Sequence, residues 1–236
     1  MRVRDRAQGR EALTEAVMIH CGSMAGSDSF KCVVPSWAEI TGLTSEVAAK
    51  IEKSGFYPDA IVAVSRGGLV PGRLVADFLH VKNVLAIKAD HWGITASKDG
   101  KASISYGINP ALDLSGQKIL IVDDVTDTGE SLELCRRHVL EKNPADVRTA
   151  TVYHLSHSKY KPDYFGAERE WAWIVFPWNR TEDLVNIINK IRQGKEMPAG
   201  EIKAGLREFN LDLSEKEVLE LLDHMRFLEG VARKAK

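Results

Sequence analysis

Two carboxylates, Asp123 and Asp124, stand side by side at the end of an apolar run in "KILIVDDVTDTGESL" (residues 118–132), and a turn of hydroxyls and glycine follows them. Thr126, Thr128 and Ser131 supply hydroxyls, and the backbone N–H groups from Thr126 to Ser131 would face an anion at the positive end of a helix dipole. Gly129 removes the Cβ that would hold a ligand away from the backbone. This chemistry suits a phosphate dianion. Asp123 and Asp124 suit the vicinal hydroxyls of a sugar, or Mg²⁺ held indirectly through them, because that ion prefers oxygen ligands. The GxxxxGK[ST] pattern is absent, which argues against a P-loop ATPase. The plainer reading of Asp127 is an ordinary helix N-cap.

A second break, "SRGGLVPG" (residues 65–72), follows the β-branched run "DAIVAVS" and precedes the helical pattern of "GRLVADFL". The unit reads as strand, glycine-rich loop, helix. Further strands are expected at "NVLAIKAD", "KILIVDD", "VRTATVYHL" and "WAWIVFPW". Helices are expected over Trp37–Ser54, with Ile40, Leu43, Val47 and Ile51 on one face, and over "GESLELCRRHVLEK". Strands alternating with helices at this spacing imply an α/β fold, a mainly parallel five-stranded sheet with helices on both faces. Residues 91–109 read as one long polar loop with the character of a lid; His91, Trp92, Lys98 and Lys101 lie in it without an assigned role.

Past Trp178 the composition turns to helix formers, and three short helices are expected. Ser214 and Glu217 have capping-box spacing, and Val218, Leu221, Leu222, Met225 and Leu228 form an apolar stripe for packing. The expected division is an extension over residues 1–33, an α/β domain over 34–179 and a helical appendage over 180–236. Arg2, Arg4, Arg6 and Arg10 read as a solvated terminus.

The 236 residues, 44% of them apolar, suffice for a substantial core. Lys plus Arg (32) nearly cancels Asp plus Glu (33), so no global field favours nucleic acid or an anionic membrane as partner. No apolar run reaches the roughly 20 residues that span a bilayer, and a cytoplasmic location is expected. Cys21, Cys32 and Cys135 lack the spacing of a zinc site or a disulfide framework, though a bridge between Cys21 and Cys32 stays open.

"ILIVDDVTDTGES" resembles the phosphoribosyl pyrophosphate (PRPP) motif of the type I phosphoribosyltransferases, and "VSRGGLVPG" resembles their pyrophosphate loop, most closely in the xanthine-guanine and archaeal 6-oxopurine enzymes. "WIVFPW" is similar to the segment that closes over the purine in that group. The resemblance implies a purine phosphoribosyltransferase that uses Mg²⁺ carried on PRPP, with no direct protein ligand to the metal, and a homodimer. It makes Asp123 and Asp124 the ribose-binding pair and Asp127 the carboxylate beside purine N7. Thr128, Gly129, Glu130 and Ser131 would hold the 5′-phosphate, and Ser65, Arg66, Gly67, Gly68 and Lys88 the pyrophosphate. Val125, Leu155, Trp173 and Ile174 would face the base.

One departure bears on which base. The 6-oxopurine relatives carry a lysine that donates to the oxygen at C6, where "VYHLSHSKYKPDY" puts Leu155. A 6-oxo group needs a donor and the 6-amino group of adenine an acceptor, so Leu155 favours adenine unless His154, His157 or Lys159 replaces the lysine. The helical appendage is also similar to that of the crenarchaeal adenine enzymes. Asn179 departs from the Asp that relatives often carry after "PW". A PRPP-sensing regulator without catalysis is the rival from another class, and it would need a basic winged-helix domain.

Overall fold

A computed structural model of the chain describes residues 30–91 and 102–234. The expectations on Arg2, Arg4, Arg6, Arg10, Cys21, Trp92, Lys98 and Lys101 lie outside those residues. In chain order the elements are β1 (Cys32–Val33), α1 (Trp37–Lys53), β2 (Ala60–Ser65), α2 (Leu69–Phe78), β3 (Val84–His91), β4 (Ala102–Tyr106), β5 (Lys118–Thr126), α3 (Glu130–Leu140), β6 (Asp146–Leu155), β7 (Tyr164–Arg169), β8 (Trp173–Ile174), α4 (Arg180–Arg192), α5 (Ala199–Glu208) and α6 (Glu215–Lys234). They form two compact units: residues 35–91 with 102–172, and residues 30–34 with 173–234.

The first unit is built on a six-stranded sheet of order β4-β3-β2-β5-β6-β7, with β3, β2, β5, β6 and β7 parallel and β4 antiparallel at the edge. Alternation within β2 and β5 explains the layers. Ala60, Val62, Val64, Ile119 and Ile121 pack with Leu132, Cys135 and Val139 of α3. Ile61, Leu120 and Val122 pack on the other side with Val47 and Ile51 of α1 and Val75 and Ala76 of α2. A strand covered on both faces must be apolar at every position, so these segments read as continuous runs. Ile61, Ile119, Leu120 and Ile121 are wholly buried, and each contributes about 1.5–3 kcal/mol of transfer free energy.

Two expectations about the strands and the loop beside them need correction. The fifth parallel strand is β7, not residues 171–178; in that segment only Trp173 and Ile174 pair, with Cys32 and Val33 of β1, in a separate two-stranded sheet. The chain turns at once after them, as the Phe176 N–H donation to the Ile174 carbonyl records. The expected loop over 91–109 is also shorter. β3 extends through His91, and Ala102–Tyr106 returns antiparallel against it, with a register shift between Lys88 and Ala89.

The second unit has its own core, in which Leu184, Ile187 and Ile188 of α4, Ile202 and Leu206 of α5, and Val218 and Met225 of α6 pack with Cys32 and Val175. The three helices and the stripe on α6 match the sequence reading. Ser214 and Glu217 cap α6 reciprocally: the Ser214 N–H donates to Glu217 Oε2 at 2.8 Å, and the Glu217 N–H to Ser214 Oγ at 3.2 Å. The boundary between units falls at 172/173 instead of 179/180, because Trp173–Val175 pair with β1 and join this core. Phe30 joins it too, edge-on to Phe209 at 5.1 Å between ring centroids, so residues 30–33 are not a bare extension. Cys32 and Cys135 are buried free thiols. No helix among the described residues is long and apolar enough to cross a membrane.

Candidate active site

β2 and β5 lie side by side and parallel, so the turns that leave them emerge at the same sheet edge. β2 runs through Ser65–Gly68 into α2, and β5 runs through residues 123–129 into α3. Lys88 reaches the same edge, since it is the register partner of Ser65 across β2 and β3. Open parallel sheets bind their ligands in the crevice outside these strand ends.

The two turns touch. A Cβ at Gly67 would overlap the Asp124 carboxylate, and one at Gly68 would overlap the carbonyl oxygens of Val122 and Val64. Any larger residue at Gly68 would force backbone against backbone. The Ser65–Arg66 peptide is cis, and the Arg66 side chain is exposed. Lys88 Nζ sits 3.3 Å from Asp90 Oδ1.

Asp123 and Asp124 are partly buried, and the Asp124 N–H donates to Asp123 Oδ1 at 2.9 Å. Burial, and after it the charge of Asp124, push the Asp123 carboxyl well above the ordinary carboxylate range. Two neighbouring carboxyls raise the cost of ionising both, and a cation or a set of hydroxyl donors would lower it.

Beyond the pair, the turn departs from expectation at one hydroxyl. Thr126 is buried and its Oγ1 donates to Thr151 Oγ1 at 3.1 Å, so it braces β5 against β6 and is not available to a ligand. Gly129 has φ +86°, where a side chain is strained, and a Cβ there would overlap Tyr160. Gly129 is the N-cap of α3 and gives it no side-chain cap; the Glu130 N–H lies 3.4 Å from Thr128 Oγ1. Asp127 is therefore not the N-cap. Its Oδ1 lies instead 2.8 Å from His157 Nε2, on the turn after β6.

A phosphoribosyl transferase domain model matches residues 36–183. The chain belongs to this family. Its sheet, with helices on both faces, is the type I phosphoribosyltransferase fold. Similar proteins include the xanthine-guanine phosphoribosyltransferase of Desulfotalea psychrophila, 29% identical over 157 residues that cover 65% of this chain and 90% of that one. The enzyme of the same name from a Ruegeria species is 32% identical over 155 residues, 61% of this chain and 83% of that one. Among solved structures, the purine phosphoribosyltransferase of Pyrococcus horikoshii superposes with a TM-score of 0.55 at 28% identity, over 62% of this chain and 93% of that one. The xanthine-guanine-hypoxanthine enzyme of Helicobacter pylori gives 0.53 at 25% identity, over 65% and 97%.

Within the phosphoribosyltransferase unit the structure brings together Ser65, Arg66, Gly67, Gly68, Lys88, Asp123, Asp124 and the turn to Ser131. Val125 is half-buried in β5 opposite Tyr153, and Leu155 is buried at the end of β6 beside Arg169. Trp173 and Ile174 belong to the second unit, where the Trp173 ring lies 6.0 Å from that of Phe30. His154 is buried with its ring 5.2 Å from Phe165; Nδ1 has no hydrogen-bond partner, and burial pushes the imidazole pKa down. His154 does not reach out of the protein as a donor.

His157, Lys159 and Tyr160 line a cavity of about 460 Å³ with Thr128, Glu130 and Glu133. The contact of His157 with Asp127 was not foreseen from sequence. Its one signal was a polar cluster, "SHSK", directly after a buried strand.

Proposed function

We propose that the chain is a purine phosphoribosyltransferase, and that it acts on a 6-oxopurine to give the nucleoside monophosphate and pyrophosphate. The observation that carries this reading is the meeting of the two turns, with Gly67 against the Asp124 carboxylate at the ends of adjacent parallel strands. A substrate gripped by both turns would have its sugar at the junction and an anionic group on either side.

In this reading Asp123 and Asp124 accept hydrogen bonds from the ribose hydroxyls. The start of α3, through Thr128, Gly129, Glu130 and Ser131, holds the 5′-phosphate. Ser65, Arg66, Gly67, Gly68 and Lys88 hold the pyrophosphate, to which a guanidinium offers several fixed donors. The bond from ribose C1 to the pyrophosphate oxygen breaks as C1 bonds to a purine ring nitrogen, and Arg66 stabilises the charge growing on the leaving group. Asp127 takes or steers the proton at the base. The residues fit Mg²⁺ borne on PRPP, since Asp123 and Asp124 crowd two carboxyls together and a cation would relieve them. Bound there, the ion would neutralise phosphate charge in the transition state.

The choice of base rests on two supports. Three of the four relatives just named are xanthine-guanine or xanthine-guanine-hypoxanthine enzymes. Lys159, on the turn after β6, supplies an N–H donor of the kind a 6-oxo group requires. Leu155 favours the second reading, adenine, because the end of β6 is apolar there. Steady-state assays of hypoxanthine, guanine, xanthine and adenine, each with PRPP and Mg²⁺, separate the two. The 6-oxopurines are expected to turn over fastest. Turnover of adenine alone would establish the second reading, and release of pyrophosphate with none of the four would exclude both.

A further inference from the structure

We propose that His157 is a positioning residue for the carboxylate of Asp127, an inference that rests on the assignment of Asp127 to the base. The two side chains come from different strand-end turns, after β6 and β5, and meet at 2.8 Å between Nε2 and Oδ1. With Oδ1 held by the imidazole, Oδ2 is the oxygen left to face the base and receive its proton. A carboxylate with both oxygens in water has no such preference, and rotation of a reacting group away from its productive orientation is costly in rate.

The turn that carries His157 is built to hold it still. Its neighbours on both sides are tied down: the Ser156 N–H donates to the Arg169 carbonyl at 2.8 Å, and the Ser158 N–H to the Leu155 carbonyl at 2.9 Å. Ser158 Oγ donates to the Tyr160 carbonyl at 3.0 Å. Tyr160 then anchors the turn from below, its hydroxyl 3.2 Å from Thr149 Oγ1. Tyr160 also packs against Gly129, so the turn bearing His157 and the turn bearing Asp127 are in direct contact. Because a Cβ at Gly129 would overlap Tyr160, the same glycine that opens the start of α3 also lets the histidine turn come close.

Stability gives little reason for the pair. The side chains of His157 and Asp127 are 44% and 52% exposed, and a surface ion pair is worth about 1 kcal/mol at most. Loss of the imidazole should therefore leave the fold intact and appear in the chemistry.

The test compares wild type with His157→Ala, His157→Gln and His157→Asn, reading kcat and KM separately for base and PRPP, with thermal melting alongside. His157→Ala is expected to lower kcat/KM for the base by about tenfold to a hundredfold, with KM for PRPP and the melting temperature unchanged. His157→Gln, whose amide nitrogen falls near the place of Nε2, should recover most of the loss; His157→Asn, whose amide falls nearer Nδ1, should not. Wild-type kinetics in His157→Ala, or equal losses in the Gln and Asn variants, would overturn the positioning role. If wild type turns over no purine at all, the assignment of Asp127 fails first and the inference goes with it.

Discussion

Helices α3 and α6 begin in opposite ways. At α6 the Ser214 hydroxyl and the Glu217 carboxylate satisfy the first N–H groups reciprocally, and the helix lies on an apolar core. At α3 the N-cap is a glycine with positive φ and no side-chain bond, shortly after Asp123 and Asp124, the first of which burial drives toward protonation. One start is closed by a capping box, and the other is a glycine turn in which the Glu130 N–H points back to Thr128 Oγ1. An open start alone marks nothing, since α4 and α5 also begin without a side-chain cap. What separates α3 is the company of Gly67, Asp123, Asp124 and Thr128 at the same strand edge.

The contrast breaks most visibly if the acidic pair is removed. Asp123→Asn with Asp124→Asn is expected to lower kcat/KM for PRPP about a thousandfold, which is two charge-assisted hydrogen bonds at about 2 kcal/mol each. Steady-state kinetics with PRPP as the varied substrate would check it, and near-wild-type values would remove the pair from the site.

Asp127→Asn should lower kcat by about a hundredfold with little change in KM for PRPP, as expected of a group that handles the proton at the base. A larger effect on PRPP than on the base would put Asp127 with the phosphate instead.

Gly129→Ala adds a strained φ and an overlap with Tyr160, and is expected to cost about 1–3 kcal/mol by denaturant melting while also raising KM for PRPP. Its counterpart on the other helix, Ser214→Ala, should cost about 1 kcal/mol and leave kinetics unchanged. If both variants move only stability, the two helix starts do not differ in purpose.

The smallest effect is one of pH. The Asp123 carboxyl is raised in the folded protein, so it favours folding most below its unfolded value, and that contribution is lost as pH rises through the folded value. Asp123→Asn cannot ionise. Its melting temperature relative to wild type should therefore climb as pH rises above the ordinary carboxylate range, then level off. A constant difference would mean that Asp123 titrates as if exposed.

Much of this was legible in the sequence because it is local. β2 and β5 are apolar on both faces, and the carboxylates, hydroxyls and glycines of the α3 turn lie within a few residues of each other. β7 escaped notice because "YFGAER" mixes polar residues with Gly166, whose missing side chain makes room for the Val152 carbonyl and Leu43. β4 escaped because "ASISY" is a small, polar edge strand. Residues 171–178 misled through their alternation, which the turn after Ile174 ends. The pairing of Asp127 with His157 depends on how two turns from neighbouring strands meet, and no local pattern records that.

A crystal structure with PRPP and Mg²⁺ bears most directly on the strand-end pocket. The expected density has the 5′-phosphate on the N–H groups of Thr128–Ser131, the ribose hydroxyls on Asp123 and Asp124, and the pyrophosphate at Arg66. A sugar phosphate bound elsewhere, with that turn unchanged and both carboxyls facing protein, would contradict it.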